Sequence, residues 1–172
     1  MARVFLAAFA LVALATTAGA EVVDKSAGGF TTKTTVTITA TPAQVYAALG
    51  RVGEWWDPAH TYSGDARNMT IESTAGACFC ERLANGGSIQ HGVVAYANPN
   101  ETLRVLGALG PLQELGVSGS LTWALQAAGS GTTATVTYVV GGYAPGGLDT
   151  LAAVVDQVIG TQLTRLKAAI EK

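Results

Sequence analysis

The stretch 148–170 of this 172-residue chain predicts one long amphipathic helix, and this feature constrains the fold more than any other. The positions of its apolar stripe recur every three or four residues, and they are Leu148, Leu151, Val155, Val158, Ile159, Gln162, Leu166 and Ile170. The opposite side carries Asp149, Asp156, Thr161 and Lys167. A continuous apolar stripe of this length has to be buried against another layer of structure. Residues before the helix must supply that layer.

Residues 30–40 predict the first strand of that layer. Alternate positions carry Phe30, Thr32, Thr34, Val36, Ile38 and Ala40, with Thr or Lys between them. This is the period of a strand that is rich in β-branched residues and has one buried face. Thr41, Pro42 and Gln44 then have the spacing of a helix N-terminus with a capping box, so a short helix follows the strand. A second short helical stretch ends at Pro58.

The region 67–142 predicts six further strands that are joined by turns. Each strand segment alternates between apolar and polar positions, and the connections contain Gly, Asn or Pro. An antiparallel meander is the simplest arrangement for such a pattern. The element order is therefore β-α-α-β6-α, an α+β fold with about seven antiparallel strands and a long C-terminal helix.

The N-terminus predicts export from the cytoplasm. Arg3 precedes an apolar run at positions 4–15, and small residues follow up to Ala20. This is the pattern of a signal peptide, residues 1–20, which is cleaved after Ala20. We expect residues 21–29 to form a flexible leader and residues 30–172 to form a single domain. The mature protein is then periplasmic or secreted, with no membrane-spanning segment, because no later apolar run is long enough.

The charge of the chain gives no indication of a nucleic-acid partner. Ten basic residues stand against twelve acidic ones, and no run of like charge occurs. The sequence does not specify an oligomeric state.

The order of three segments resembles a known family. These segments are TPAQVYAALGRVGEWW after the first strand, GGSIQHGVVAYANPNETLRVLG in the middle and LAAVVDQVIGTQLTRLKAAI at the end. Together they resemble the START-related polyketide cyclase/dehydrase and lipid-transport superfamily, also called SRPBCC, over residues 30–172. The resemblance implies the helix-grip fold, in which a curved antiparallel sheet wraps around the C-terminal helix and encloses a largely apolar cavity. It also implies a hydrophobic small molecule as ligand, but it carries over no catalytic residue.

An aromatic cluster at residues 54–65, EWWDPAHTYSGD, is the first candidate ligand site. Trp55 and Trp56 offer large apolar faces that suit a ring-bearing or acyl ligand. Neighbouring residues on a helix project about 100° apart, so we expect at most one of them to face the cavity squarely. The alternative is that one of them packs into the core and the other caps its edge. His60 and Tyr62 are further candidate contacts.

Glu81 and His91 form the second candidate site. A three-residue turn at 85–87 would place Glu81 opposite His91 and Leu83 opposite Ile89, with apolar neighbours on the same face. A loop of different length would instead place Cys80 opposite His91. A buried Glu–His pair can transfer protons or bind a polar group of a ligand. A polar pair at the rim of the sheet is the structural alternative.

Cys78 and Cys80 lie two residues apart on a predicted strand. In a regular strand their Cα atoms are about 7 Å apart, at the limit for a disulfide, so a bond between them would require a bulge. We therefore expect two free thiols, without a catalytic role.

These residues leave two functions open. The first is an exported binding or carrier protein for a hydrophobic small molecule, lipid-like or aromatic. The alternative is an enzyme of the cyclase, dehydratase or hydrolase type that uses Glu81 and His91 as an acid–base pair. Neither requires a cofactor, and the spacing of the possible ligands does not support a metal site. The sequence favours the carrier, because the acid–base pair depends on one choice of strand register.

Overall fold

The computed structural model describes residues 19–172, which form an antiparallel sheet with helices packed on one face. The signal peptide predicted for residues 1–20 therefore lies almost entirely outside the described residues. Within the described part of the chain, no helix has both the length and the apolar character needed to cross a membrane.

Within residues 19–172, eight strands make up the sheet. They are β1 Gly19–Ser26, β2 Gly29–Ile38, β3 Met69–Ile71, β4 Cys78–Arg82, β5 Ser88–Asn98, β6 Thr102–Leu106, β7 Gly116–Ala128 and β8 Gly131–Tyr143. The helices are α1 Pro42–Leu49, α2 Val52–Trp55 and α3 Ala152–Ile170, and short 3-10 turns lie at Pro58–His60, Ala66–Asn68 and Gly110–Glu114. The strand order is β1-β2-β8-β7-β6-β5-β4-β3, with every neighbouring pair antiparallel. The predicted helix-grip fold is confirmed, with eight strands instead of about seven.

The additional strand is β1, and the prediction of a flexible leader at residues 21–29 is wrong. Residues 19–26 pair with β2 from Gly19 opposite Thr35 to Ser26 opposite Gly29, with one irregularity between Val22 and Asp24. The segment is ordered because it covers the exposed edge of β2, whose N–H and C=O groups would otherwise face solvent.

Helix α3 packs its apolar stripe against the sheet, as the periodicity predicted. Ile159, Leu163 and Leu166 are buried, and Leu151 and Val155 are partly buried against the core. Asp156 is an exception, because the periodicity placed it on the solvent side and the structure buries it.

Helix α1 begins with the predicted capping box. The hydroxyl of Thr41 accepts the backbone N–H of Gln44, and the side chain of Gln44 accepts the backbone N–H of Thr41. Pro42 occupies the first helical turn. These contacts fix the direction in which the chain leaves β2, and they bring α1 and α2 over the open end of the sheet.

We expect Leu166→Ala to destabilise the protein by about 2–5 kcal/mol, because it leaves a cavity between α3 and the sheet. Leu166 is fully buried, whereas Val154 on the same helix is 54% exposed. Val154→Ala is therefore the control and should change the free energy of unfolding little. Urea unfolding of both variants measures the difference. Equal stability of the two variants would contradict the packing of α3 described here.

Candidate functional site

The sequence predicts that at most one tryptophan faces a cavity squarely. Trp55 and Trp56 are both buried in the core at the C-terminal end of α2. The indole N–H of Trp55 donates to the carbonyl of Ala48 at 2.9 Å, and that of Trp56 donates to the carbonyl of His60 at 3.0 Å. The two ring centroids are 5.6 Å apart. Both polar N–H groups are satisfied within the chain, which leaves the ring faces for apolar contact.

The two tryptophans border a narrow space that we call the apolar gap. It is lined by Leu49, Val52, Trp55, Trp56, Ile71, Phe79, Leu103 and Trp123. All of these side chains are predominantly apolar, and the space is too narrow to admit a water molecule. Where the family resemblance implies a cavity, the described residues therefore leave only this narrow apolar space between the short helices and the sheet.

Two polar side chains of α3 hold the segment that carries the tryptophans. Arg165 donates from Nε to the carbonyl of Trp55 at 2.9 Å and from its guanidinium to the carbonyl of Trp56 at 3.4 Å. Gln162 accepts the backbone N–H of Asp57 at 2.8 Å. Residues 52–63, hereafter the tryptophan segment, are thus attached to α3 by hydrogen bonds to backbone groups. Because α2 has a single turn, these contacts satisfy groups that its own helix leaves unpaired.

His60 lies at the surface beside Gln162 and does not border the apolar gap. Its Nδ1 is 2.9 Å from the Nε2 of Gln162 and 3.8 Å from a carboxylate oxygen of Asp57. Since an amide nitrogen can only donate, Nδ1 of His60 is the acceptor. His60 therefore fixes the orientation of the Gln162 amide, which in turn holds Asp57.

Glu81 and His91 are brought together in the interior, on the same side of the sheet. The Nε2 of His91 is 3.0 Å from the Oε2 of Glu81, and both side chains are almost completely buried. The backbone N–H groups of Tyr62 and Ser63 also donate to the two carboxylate oxygens of Glu81. The carboxylate thus accepts hydrogen bonds from both β5 and the tryptophan segment, and these bonds connect that segment to the sheet.

At neutral pH, the surroundings of the pair keep Glu81 ionised and His91 neutral. Burial acts to raise the pKa of Glu81, but hydrogen bonds from Ser63, Tyr62 and His91 outweigh it and lower the pKa below the ordinary glutamate value. Burial lowers the pKa of His91, and the hydrogen bond and charge of Glu81 only partly oppose that effect. A neutral imidazole beside an ionised carboxylate donates its Nε2–H, which leaves Nδ1 as the basic nitrogen.

The rings of Tyr62 and Phe79 flank His91. Their centroids are 6.0 Å and 5.1 Å from that of the imidazole. Phe79 also contacts Trp56, edge to face, at 5.5 Å. Phe79 therefore stands between the Glu81–His91 pair and the apolar gap. Of the residues that the sequence singled out, Trp55 and Trp56 border the gap, whereas His60, Tyr62, Glu81 and His91 do not.

The predicted register between β4 and β5 is wrong by two residues over 80–82 and by one residue at Cys78 and Phe79. Glu81 lies opposite Ile89, not His91, and Leu83 belongs to the loop that joins the strands. A shift of two preserves which face each side chain occupies, so Glu81 still points inward. An irregularity follows between Phe79 and Cys80, where β5 carries one extra residue, His91. Because His91 is the extra residue of the bulge and Glu81 points inward, the two side chains come into contact.

Cys78 and Cys80 form a disulfide, so the expectation of two free thiols is also wrong. Their Cα atoms are 5.4 Å apart, closer than in a regular strand. The irregularity in the pairing with β5 lies between Phe79 and Cys80, within the span of this bond. The disulfide therefore lies on β4 beside the bulge at His91, and it shapes the strand that carries Glu81.

Sequence reasoning missed Phe79, Trp123, Gln162 and Arg165. Gln162 was detectable, because a glutamine within an apolar helical stripe is buried and needs hydrogen-bond partners. Among residues 19–172, no three His, Cys, Asp or Glu side chains lie close enough to hold a metal ion.

The lowered pKa of His91 predicts a loss of stability in mild acid. In the unfolded chain a histidine gains its proton near pH 6.5, whereas in the folded protein His91 stays neutral to a lower pH. Between these values the unfolded state binds more protons, so the free energy of unfolding falls as the pH drops below about 6.5. His91→Gln keeps a donor for Glu81 but does not titrate. Urea unfolding at pH 7 and pH 5.5 should show a smaller change in this variant, and an equal change would contradict a neutral His91.

Comparisons with known proteins agree with this architecture. The family model described as polyketide cyclase/dehydrase and lipid transport matches residues 30–171. No curated protein matches the chain significantly.

Solved structures share the fold at low sequence identity. The protein MLL2253 from Mesorhizobium loti has a TM-score of 0.60 at 18% identity, covering 81% of this chain and 96% of its own. A protein from Rhizobium leguminosarum has a TM-score of 0.59 at 20% identity, covering 91% and 99%. The Aha1 dimer from Colwellia psychrerythraea has a TM-score of 0.56 at 19% identity, covering 81% and 94%. With the family match over nearly all of the described residues, the chain belongs to the polyketide cyclase/dehydrase and lipid transport family.

Proposed function

We propose that this protein is an exported carrier for a hydrophobic small molecule, lipid-like or aromatic, which enters the apolar gap. The observation that carries the proposal is the lining of the gap by three tryptophans, Phe79 and four aliphatic side chains. Such a surface attracts an acyl chain or a ring system through apolar contact and offers no polar group that a polar ligand would need. The family description, which includes lipid transport, supports the same ligand class.

Entry of a ligand requires the gap to open, and the tryptophan segment is the element best suited to move. Its contacts with α3 and β4 include the hydrogen bonds from Arg165 to the Trp55 and Trp56 carbonyls and those to Glu81. Hydrogen bonds of this kind can break and re-form without unfolding the sheet, since each contributes only about 0.5–3 kcal/mol. Displacing the segment would separate Trp55 and Trp56 from Leu103 and Trp123, and so widen the gap.

An enzyme that uses Glu81 and His91 is the alternative, and the buried hydrogen bond between them favours it. In such an enzyme the Nδ1 of His91 would act as the base while Glu81 fixes the tautomer. Both oxygens of Glu81, however, already accept backbone N–H groups of Tyr62 and Ser63. These hydrogen bonds hold the tryptophan segment in place, and this structural role accounts for the burial of Glu81 without catalysis. We therefore prefer the carrier.

The disulfide supports export as the setting for this function. Disulfides persist in oxidising compartments and are uncommon in the cytosol. The Cys78–Cys80 bond therefore fits the periplasmic or secreted location that the N-terminal sequence predicts.

Binding of the neutral fluorophore 1-N-phenylnaphthylamine tests the carrier proposal. We expect the probe to brighten on binding and to quench tryptophan emission, and dodecanol should displace it. Leu103→Phe should abolish binding, because the larger ring fills the gap. Leu163→Phe is the matched control, since Leu163 is equally buried but does not border the gap.

Thermal melts must first show that both phenylalanine variants fold. Equal probe binding by Leu103→Phe and Leu163→Phe would contradict the apolar gap as the ligand site. His91→Gln should retain probe binding, because His91 does not border the apolar gap.

A further inference from the structure

Asp156 is a buried carboxyl group that the proposed function does not use. It is 9% exposed, and its Oδ1 is buried without a hydrogen-bond partner among the described residues. The hydroxyl groups of Thr32 and Thr34 on β2 are likewise buried and unpartnered within residues 19–172. Buried polar atoms in native proteins normally have partners, and an unpaired carboxylate is the most destabilising case. The three residues therefore indicate a missing donor.

Helix geometry places Asp156 over the first half of β2. Lys167 lies eleven residues later on α3, or about three turns, so both side chains project from the same side of the helix. Lys167 donates from Nζ to the carbonyl of Thr37 at 2.6 Å. Three turns span about 16 Å, the length of about five strand residues. The backbone N–H of Leu148, just before α3, donates to the carbonyl of Ala27 in the β1–β2 turn, so α3 runs along β2 in the same direction. Asp156 therefore lies about five strand residues before Thr37, at the level of Thr32.

The edge strand β1 lies beside this position. Val22 pairs with Thr32, and Glu21 pairs with Lys33. Burial first, and then the negative charge of Glu21, raise the pKa of Asp156, so Glu21 is close enough to act on it. In the uncleaved chain the only charge that Glu21 brings to Asp156 is a repulsive one.

Signal-peptide cleavage after Ala20 would change the charge at this position. Water adds OH to the carbonyl carbon of Ala20 and H to the nitrogen of Glu21 as the peptide bond breaks. The new carboxyl group of Ala20 releases a proton at neutral pH, and the new amine of Glu21 takes one up. The N-terminus of β1 then carries an ammonium group with three donors, where the uncleaved chain has an uncharged amide.

We propose that the α-ammonium group of Glu21 in the cleaved protein is the partner of Asp156, with the hydroxyl groups of Thr32 and Thr34 as nearby acceptors. This ion pair ties β1 to α3 only after the signal peptide has been removed. The inference rests on the predicted cleavage site and is independent of ligand binding. It gives processing a structural consequence, because the mature N-terminus supplies Asp156 with a charged donor that the precursor lacks.

Four proteins test the ion pair. One begins at Glu21 after removal of an N-terminal fusion, one retains residues 18–20, and each is also made with Asp156→Asn. We expect the three extra residues to lower the melting midpoint of the wild-type protein by roughly 4–10 °C, as the loss of a charged hydrogen bond would. In the Asp156→Asn background the same extension should change it by less than about 2 °C. An equal fall in both backgrounds would overturn the proposal.

Acylation of the α-amine gives a readout that general damage to the fold would not mimic. In the protein that begins at Glu21, we expect acetic anhydride to modify this amine at least about tenfold more slowly in native buffer than in urea. If the Asp156→Asn variant fails to fold, the comparison of acylation rates in native buffer and in urea decides alone. Equal acylation rates in the two conditions would reject the ion pair. Intact mass of the exported protein must also show Glu21 as the first residue. A different N-terminus would overturn the inference.

Discussion

The packing of α3 on the concave face of the sheet is the constraint on which the other features of this protein depend. Its apolar stripe, with Ile159, Leu163 and Leu166, supplies much of the core. The same helix uses Arg165 and Gln162 to hold the backbone around Trp55 and Trp56. One element therefore supports the sheet on one side and the short helices on another, so a shift of α3 would change the core and the apolar gap together.

Much of this fold could be predicted from local sequence patterns, because the strands and helices carry strong periodicities and caps. Thr41 and Gln44 identify the start of α1, and the stripe at 148–170 identifies α3. Strand β1 was missed because its order comes from pairing with β2, not from its own composition. Such pairing is a long-range contact that a single segment does not encode.

The candidate site was less predictable, because its geometry depends on interactions between segments. The β4–β5 register differs by one or two residues from the prediction, since the loop that joins these strands is longer than the three-residue turn assumed. The bulge at His91 and the disulfide between Cys78 and Cys80 occur together, and neither is expected from a regular strand. The roles of Arg165 and Gln162 are tertiary contacts across more than 100 residues, which helix periodicity alone does not reveal.

The Cys78–Cys80 disulfide closes a ring that contains a single intervening residue, Phe79. Cross-links stabilise proteins mainly by shortening the loops available to the unfolded chain, and this one removes almost no such freedom. Its effect is therefore confined to the shape of one strand, where it sets the spacing of the residues that face His91. The bond therefore acts on the geometry of β4 and contributes little to the global stability of the protein.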